Sequence, residues 1–260
     1  MSSKKAVQFL PGRHPLDNPA VQTVFQNAGH LPLHLVGGCL RDNIDVPANS
    51  SAPSRNIKPT TDFDFAVGGD ALAFAGEMAR VLKGHFVVLD ESFDIARVVL
   101  DDGSYLDFAG YKGSLEVDIR RRDLTINALV MEPGSPDRVI DLVGGLQDLE
   151  KNLVRAVSEE SLLEDPLRLL RVYRFAVARA ATIEGATRSY LGKAENLARL
   201  SQVARERVNY ELFTLLNYDG VGKYIHDMGQ SGLLEALFPE LRDCRRVTSH
   251  SFHHLALFDH

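Results

Sequence analysis

The hydrophobic period of this chain changes once, near residue 150, and that change limits its possible folds more than any other feature. Before it, short apolar runs bounded by glycine, proline or aspartate alternate with helical segments. "LPLHLVGG" (31–38) predicts a strand entering a tight turn, with a helix starting near Cys39. "DFDFAV" (62–67) predicts a second strand. "DALAFAGEMARVL" (70–82) has helical spacing, with Asp70 as N-cap and Gly84 as the stop. Three more strand segments follow near 86–90, 95–100 and 105–109, the last two joined through "DDG" (101–103). "RRDLTINALVM" begins charged and ends apolar, and "VIDLVGGLQDLE" runs from a strand into a helix. After 150 the strand pattern stops. "EDPLRLLRVYRFAVARA" reads as a helix with Asp165 as N-cap and Pro166 at its first position. Helical spacing continues through 189–200, 203–217 and 231–242.

A mixed β/α part followed by helices predicts two units. Residues 1–30 read as an N-terminal arm, loose over its polar, proline-containing first twenty residues. Residues 31–150 form the mixed unit and 151–242 the helical one, with 243–260 opening a further domain or a tail. The stretch 43–61, rich in Pro, Ser and Asn, reads as a long loop. No internal repeat is present.

Composition excludes little. The 260 residues suffice for one large domain or two modest ones, and 45% hydrophobic with 25% charged residues is ordinary for a soluble globular protein. No run of eighteen apolar residues exists, so no membrane span is expected, and the N-terminus lacks the apolar core of a secretory signal. Cys39 and Cys244 are far apart and without metal-ligand spacing, so reduced thiols and a cytoplasmic location are expected. A net charge of −6 gives no global attraction to nucleic acid, so RNA binding requires a local basic patch. No feature sets an oligomeric state.

Several constellations carry chemistry. Asp62 and Asp64 stand two apart in a strand-like run, which puts both carboxylates on one face, roughly 6.5–7 Å apart. They repel unless a lysine, an arginine or a divalent metal lies between them; the alternative is a solvated strand face. Asp107, in "SYLDFAG", is a third acid on a neighbouring strand candidate. Three such carboxylates would hold one or two Mg²⁺, a hard cation that keeps sites open for substrate phosphates. Gly37 and Gly38, between a strand and a helix, are turn glycines or a place where phosphate oxygens approach the backbone. Arg41, one turn on, would add a forked phosphate donor.

In "RRRDLTINA" (120–128), the arginines are a solvated surface or an RNA-contacting patch. Arg122 and Asp123 are placed for phosphate and ribose, and Asn127 for holding the turn. Arg168, Arg171 and Arg174 recur every three residues as a basic stripe opposite Leu169, Leu170, Val172, Tyr173 and Ala176. Asp165 and Arg168 are an N-cap and a local ion pair, or an acceptor and a forked donor for a base edge. Glu164, Glu206, Arg207 and Glu211 are structural supports for the neighbouring helices. The histidines of "HSFHHLALFDH" (250–260) are a coincidence of composition or the fragment of a larger unit.

In order, "LVGGCLRD", "DFDFAV", "RRDLTINAL", "EDPLRLLRVYRF" and "RERVNYEL" resemble the successive motifs of the class II tRNA nucleotidyltransferase and bacterial poly(A) polymerase family, over roughly residues 31–215. The resemblance implies an α+β fold: a polymerase-β-like nucleotidyltransferase head on a small mixed sheet, followed by an all-helical neck. It implies transfer of a nucleotide from CTP or ATP to the 3′ end of tRNA, with release of pyrophosphate. Asp62 and Asp64 then look like Mg²⁺ ligands; Gly38, Arg41 and Arg122 like triphosphate and sugar contacts. Asp165 and Arg168 look like readers of the incoming base, with Arg171 and Arg174 on the phosphates. The final histidine-rich stretch resembles the opening of an HD-type domain.

The sequence departs from the family pattern in three places. "DESFDIAR" (90–97) has Asp94 where members carry glycine, which would stiffen a hinge. The connection from Asp107 to the "RRD" motif is short, as in CC-adding members, which favours CC addition over CCA addition, with poly(A) addition as an alternative. The 43–61 loop is longer than usual, a tolerated surface insertion. A non-catalytic RNA-binding relative that has kept the fold is a further alternative, and the intact Asp62/Asp64 pair argues against it.

Overall fold

The computed structural model describes residues 4–46 and 60–244. The chain divides into two compact units, Met1–Lys151 and Asn152–His260.

The first unit is built on one eight-stranded sheet. Its strands are β1 (Lys4–Ala6), β2 (Leu33–Val36), β3 (Asp62–Val67), β4 (His85–Asp90), β5 (Ile95–Val99), β6 (Tyr105–Gly110), β7 (Val130–Met131) and β8 (Arg138–Ile140). Their spatial order is β1-β8-β7-β2-β3-β6-β5-β4. Only β3 and β6 run parallel; the other neighbours are antiparallel. A parallel pair needs a crossover, and here it contains α3 (Ala71–Leu82), the longest helix among the unit's described residues, which also hold α1 (Pro19–Gln26), α2 (Gly38–Asn43), α4 (Leu115–Arg120) and α5 (Gly145–Glu150).

Strand alternation sorts the side chains of β3. Phe63 and Phe65 turn inward while Asp62 is exposed and Asp64 half-buried. Phe65 stacks on Phe108 of β6 at 5.1 Å between ring centroids, and Phe74 of α3 meets Phe108 edge-on at 5.6 Å. Each such buried ring contributes about 2–3 kcal/mol, so the apolar face fixes the register that lines up the acids on the other. Asp70 caps α3 through the Ala73 N–H (2.8 Å), and Lys83, in the left-handed region at φ 56°, ends it just before Gly84. At "DDG", Gly103 takes φ 82° and the Leu100 carbonyl accepts its N–H at 3.0 Å.

The N-terminal segment is not the loose arm expected. Lys4–Ala6 pairs with Arg138–Ile140, and Lys5 Nζ donates to the buried Asp141 at 2.8 Å. Asn18 caps α1, whose Ala20, Val21 and Val24 are buried. Partners more than a hundred residues away provide this order, and they leave no local signature.

The second unit holds α6 (Glu159–Glu164), α7 (Arg168–Ala178), α8 (Gly185–Leu191), α9 (Ala194–Ala198), α10 (Arg205–Leu216), α11 (Gly222–Gln230), α12 (Leu233–Leu237) and α13 (Leu241–Cys244). It is not purely helical. β9 (Leu153–Val154) and β10 (Thr182–Ile183) form a short parallel pair that ties the start of the unit to the chain just after α7. Tyr173 of α7 is fully buried and its hydroxyl bonds Ser231 Oγ at 3.2 Å. The first regular turn of α7 begins at Arg168, two residues later than its sequence suggests. Asp165 still governs the entry: its carboxylate accepts the Leu167 N–H (3.2 Å) and its carbonyl the Arg168 N–H (2.9 Å). Among the described residues no helix is long and apolar enough to cross a membrane. The 250–260 histidine cluster and most of the 43–61 loop lie outside the described residues.

Candidate functional site

Sheet register assembles the acidic cluster of the first unit. Asp64 lies directly opposite Asp107 on β6, and Asp107 opposite Arg97 on β5, so all three share one row and one face. Asp62 is one step along the same face of β3, opposite Tyr105.

The turn between β2 and α2 approaches this face from the other side. Gly37 has φ 79°, a conformation suited to glycine, and a Cβ there would stand 3.1 Å from Asp64 Oδ2. Its glycine lets the backbone pass against the carboxylate. Its own N–H, however, donates to the Leu129 carbonyl at 3.3 Å, so it does not serve the phosphate cradle expected of the glycine pair. Gly38 follows it at the start of α2.

Arg41 sends Nε to Asp42 (2.7 Å) and Nη1 to Asn127 Oδ1 (2.5 Å). Asn127 Nδ2 reaches Asp123 Oδ1 at 3.0 Å, and the same oxygen accepts the Leu124 N–H at 2.8 Å. The fold thus joins Arg41, Asn127 and Asp123 across eighty residues of sequence. Asp123 is buried and its Oδ1 holds the turn, as Asn127 does, so the ribose contact expected of it is corrected to a supporting role. Arg122 is half-buried and is held by Asp118 Oδ2 through Nε (3.2 Å) and Nη2 (2.9 Å).

Asp107 also requires correction. Both its oxygens are taken by Arg97, Nε to Oδ1 at 2.7 Å and Nη2 to Oδ2 at 2.8 Å, and the guanidinium lies 4.6 Å over the Tyr105 ring. Among the described residues no group of three acids, histidines or cysteines is arranged to hold a metal. Two protein carboxylates, Asp62 and Asp64, therefore remain for a cation. They fit one. Burial pushes the Asp64 carboxyl up to about 6, the charges of Asp107 and Asp62 push it the same way, and Arg122 and Arg41 only partly oppose them. An added positive charge at this face would relieve that repulsion.

Asp94, at the head of β5, occupies the left-handed region at φ 55°. Its two carboxylate oxygens accept the Ala71 and Leu72 N–H groups at 2.9 Å each, a second cap on α3. A Cβ at Gly110 would collide with this side chain. The site expected to be a stiffened hinge is thus a latch between β5, β6 and α3.

In the second unit the arginine stripe lies along α7. Glu211 of α10, 4% exposed, accepts from Arg174 Nε at 2.5 Å and from Arg171 Nη1 at 3.3 Å. Arg174 also covers the Phe175 ring at 4.2 Å. Arg168 Nη1 donates to the Ser161 carbonyl at 2.5 Å, and Arg207 Nη2 holds Asp165 Oδ2 at 2.6 Å. Arg207 and Glu211 therefore provide the support predicted for α10. Glu206 is exposed and shows no ion pair among the described residues, and Glu164 is exposed at the end of α6.

Arg97 was not identified as a site residue in the sequence. Its signal is a charged residue between Ala96 and Val98 in a strand, on the face where Asp107 points.

Two family descriptions match the chain: "Poly A polymerase head domain" over residues 33–155 and "Probable RNA and SrmB-binding site of polymerase A" over 182–244. The chain is similar to an A-adding tRNA nucleotidyltransferase of Deinococcus radiodurans, 35% identical over 87% of this chain and 49% of that protein. A CC-adding tRNA nucleotidyltransferase of Geobacter sulfurreducens is 35% identical over 85% of this chain and 48% of its own length. Among solved structures, the Thermotoga maritima CCA-adding enzyme complexed with tRNA superposes with a TM-score of 0.73 at 26% identity, covering 98% of this chain and 64% of that one. The chain spans about half the length of the curated relatives it matches.

Proposed function

The chain belongs to the family of class II tRNA nucleotidyltransferases and bacterial poly(A) polymerases, and on that premise we propose that it adds nucleotides, without a template, to the 3′ end of tRNA. The RNA 3′ hydroxyl attacks the α-phosphorus of CTP, and pyrophosphate leaves. The observation that carries this reading is the same-face pair Asp62 and Asp64, left with excess negative charge beside the glycine turn.

These two carboxylates would hold Mg²⁺, which when bound lowers the pKa of the attacking hydroxyl and screens phosphate charge. For that the Asp64 carboxylate must be ionised, a state favoured by Arg122 and Arg41. The same two guanidinium groups, with the backbone at Gly38, serve as triphosphate contacts. Asn127 and Asp123 keep Arg41 in place. Arg97 keeps Asp107 from competing for the cation.

In the helical unit, Asp165 and Arg168 are the acceptor and donor for the Watson–Crick edge of cytosine or adenine. Guanine and uracil would leave buried groups unpaired, a strong basis for rejection. Arg171 and Arg174 contact phosphate, held by Glu211.

CC addition is favoured over CCA addition, because only the short α4 segment separates β6 from the arginine run. The test is a gel assay with Mg²⁺ and a tRNA ending at its discriminator base, given CTP, ATP or both. Two nucleotides from CTP with no further A is the expected result. Three with both nucleotides would establish CCA addition, and a long A ladder poly(A) addition. Neither extension nor CTP binding would overturn the reading.

A further inference from the structure

A cavity of about 190 Å³ in the sheet unit has no part in the chemistry above; Phe93, Tyr111, Lys112, Val117, Asp118 and Arg121 line it. Three segments meet there. The turn between β4 and β5 carries Phe93, the chain leaving β6 carries Tyr111 and Lys112, and α4 with its C-cap carries Val117, Asp118 and Arg121. Tyr111 lies four residues beyond Asp107, about 13 Å from the acidic row by strand rise. Asp118 is the residue that holds Arg122, so the cavity adjoins a proposed triphosphate contact. Phe93 is 67% exposed and Val117 49%. A single exposed ring is ordinary, but this one stands on a fixed turn. Asp90 Oδ1 accepts the Ser92 and Phe93 N–H groups at 2.9 and 3.1 Å, and Asp94, the next residue, is tied to α3. Two exposed cations, Lys112 and Arg121, border the same space, and Lys112 enters no ion pair among the described residues. A rigid apolar surface beside cations suits a stacked base and its phosphate.

We propose that this cavity holds one nucleotide of a single-stranded RNA end, with the base against Phe93 and Val117 and the phosphate on Lys112 and Arg121. Size and charge favour a strand over a free nucleotide. The volume is below the roughly 300 Å³ at which pockets that enclose whole small ligands begin, so it takes one base and leaves the rest of the ligand outside. The Asp118 carboxylate in the wall opposes the dense charge of a triphosphate, whereas a phosphodiester brings a single charge to Lys112 and Arg121. The inference rests on the proposed transfer for the identity of that RNA end, which lies upstream of the attacking hydroxyl. It also gives Arg121, in the middle of the arginine run, a contact with RNA.

Fluorescence anisotropy of a labelled single-stranded RNA decamer, titrated with the 260-residue chain at several salt concentrations, tests it beside CTP binding measured by calorimetry. Phe93→Ala is expected to weaken RNA binding about tenfold, and Phe93→Tyr, which keeps a ring, to restore it. Lys112→Ala is expected to reduce the slope of log affinity against log salt by about 0.7, the value for one phosphate on a single strand. CTP affinity stays unchanged in all three. Both positions are exposed, and Lys112→Ala keeps the test open should Phe93→Ala fail to fold. The proposal is overturned if the unsubstituted chain binds no RNA, or if RNA affinity is indifferent to the alanine variants. It is equally overturned if Phe93→Ala costs CTP binding instead, which would make the cavity a free-nucleotide site. A chain that binds RNA through Phe93 yet extends none would defeat the transfer reading alone. Normal extension with RNA affinity indifferent to both variants would defeat the cavity's role alone.

Discussion

The sheet unit and the helical unit treat charge in opposite ways. On β3, Asp62 and Asp64 share a face with Asp107, and only Asp107 has a full counter-charge, in Arg97. Burial and like charge leave Asp64 with a raised pKa. On α7, Arg171 and Arg174 share the two oxygens of Glu211, and Arg207 holds Asp165. One region is left short of positive charge and the other is internally balanced. On the proposed reading, the excess charge is the place that a ligand would complete, and the balanced charge holds groups in position for one.

The sharpest way to break this contrast is to neutralise one member of each set. Asp62→Ala should lower nucleotide transfer by about 10⁴-fold while the thermal midpoint holds, because removing an acid also removes repulsion. Retained activity would dismiss the metal assignment. Glu211→Gln should do the reverse, costing about 3 kcal/mol of stability by stranding two arginines, read as a lower denaturant midpoint.

The pH dependence of the metal-free protein separates the regions further. The folded-state pKa of Asp64, about 6, exceeds the ordinary 3.8, so the native state binds the extra proton. Its contribution favours folding at acid pH, fades as pH rises between about 4 and 6, and leaves a cost of about 2 kcal/mol above that range after allowance for partial exposure. Asp64→Asn should flatten that part of the stability–pH curve; an unchanged slope would show that Asp64 is not strained. Arg168→Ala should reduce CTP-over-UTP selectivity about 10–100-fold with little change in triphosphate binding, measured by competing incorporation. The smallest effect is expected of Asp94→Gly, which relieves the positive φ but removes two acceptors from α3, a net loss of about 1 kcal/mol by chemical denaturation.

Local chemistry made much of this legible. The β3 acids alternate with phenylalanines, so strand period alone places them on one face, and three-residue spacing alone aligns Arg168, Arg171 and Arg174. The unit boundary at 151 follows from the change of hydrophobic period. What escaped depends on register between distant segments. Nothing near Lys4–Ala6 announces Arg138–Ile140, and nothing near Asp107 announces that Arg97 will take both its oxygens. Asp94 looked like a lost glycine; its backbone keeps a glycine-like φ while its side chain found work at a helix terminus twenty residues back.

The most direct measurement is a titration with Mn²⁺, a spectroscopic substitute for Mg²⁺, followed by electron paramagnetic resonance with and without CTP. Binding that strengthens with CTP and disappears in both Asp62→Ala and Asp64→Asn is the predicted result. Binding that either variant leaves unchanged would contradict the account, because the excess charge on β3 would then serve something other than a cation.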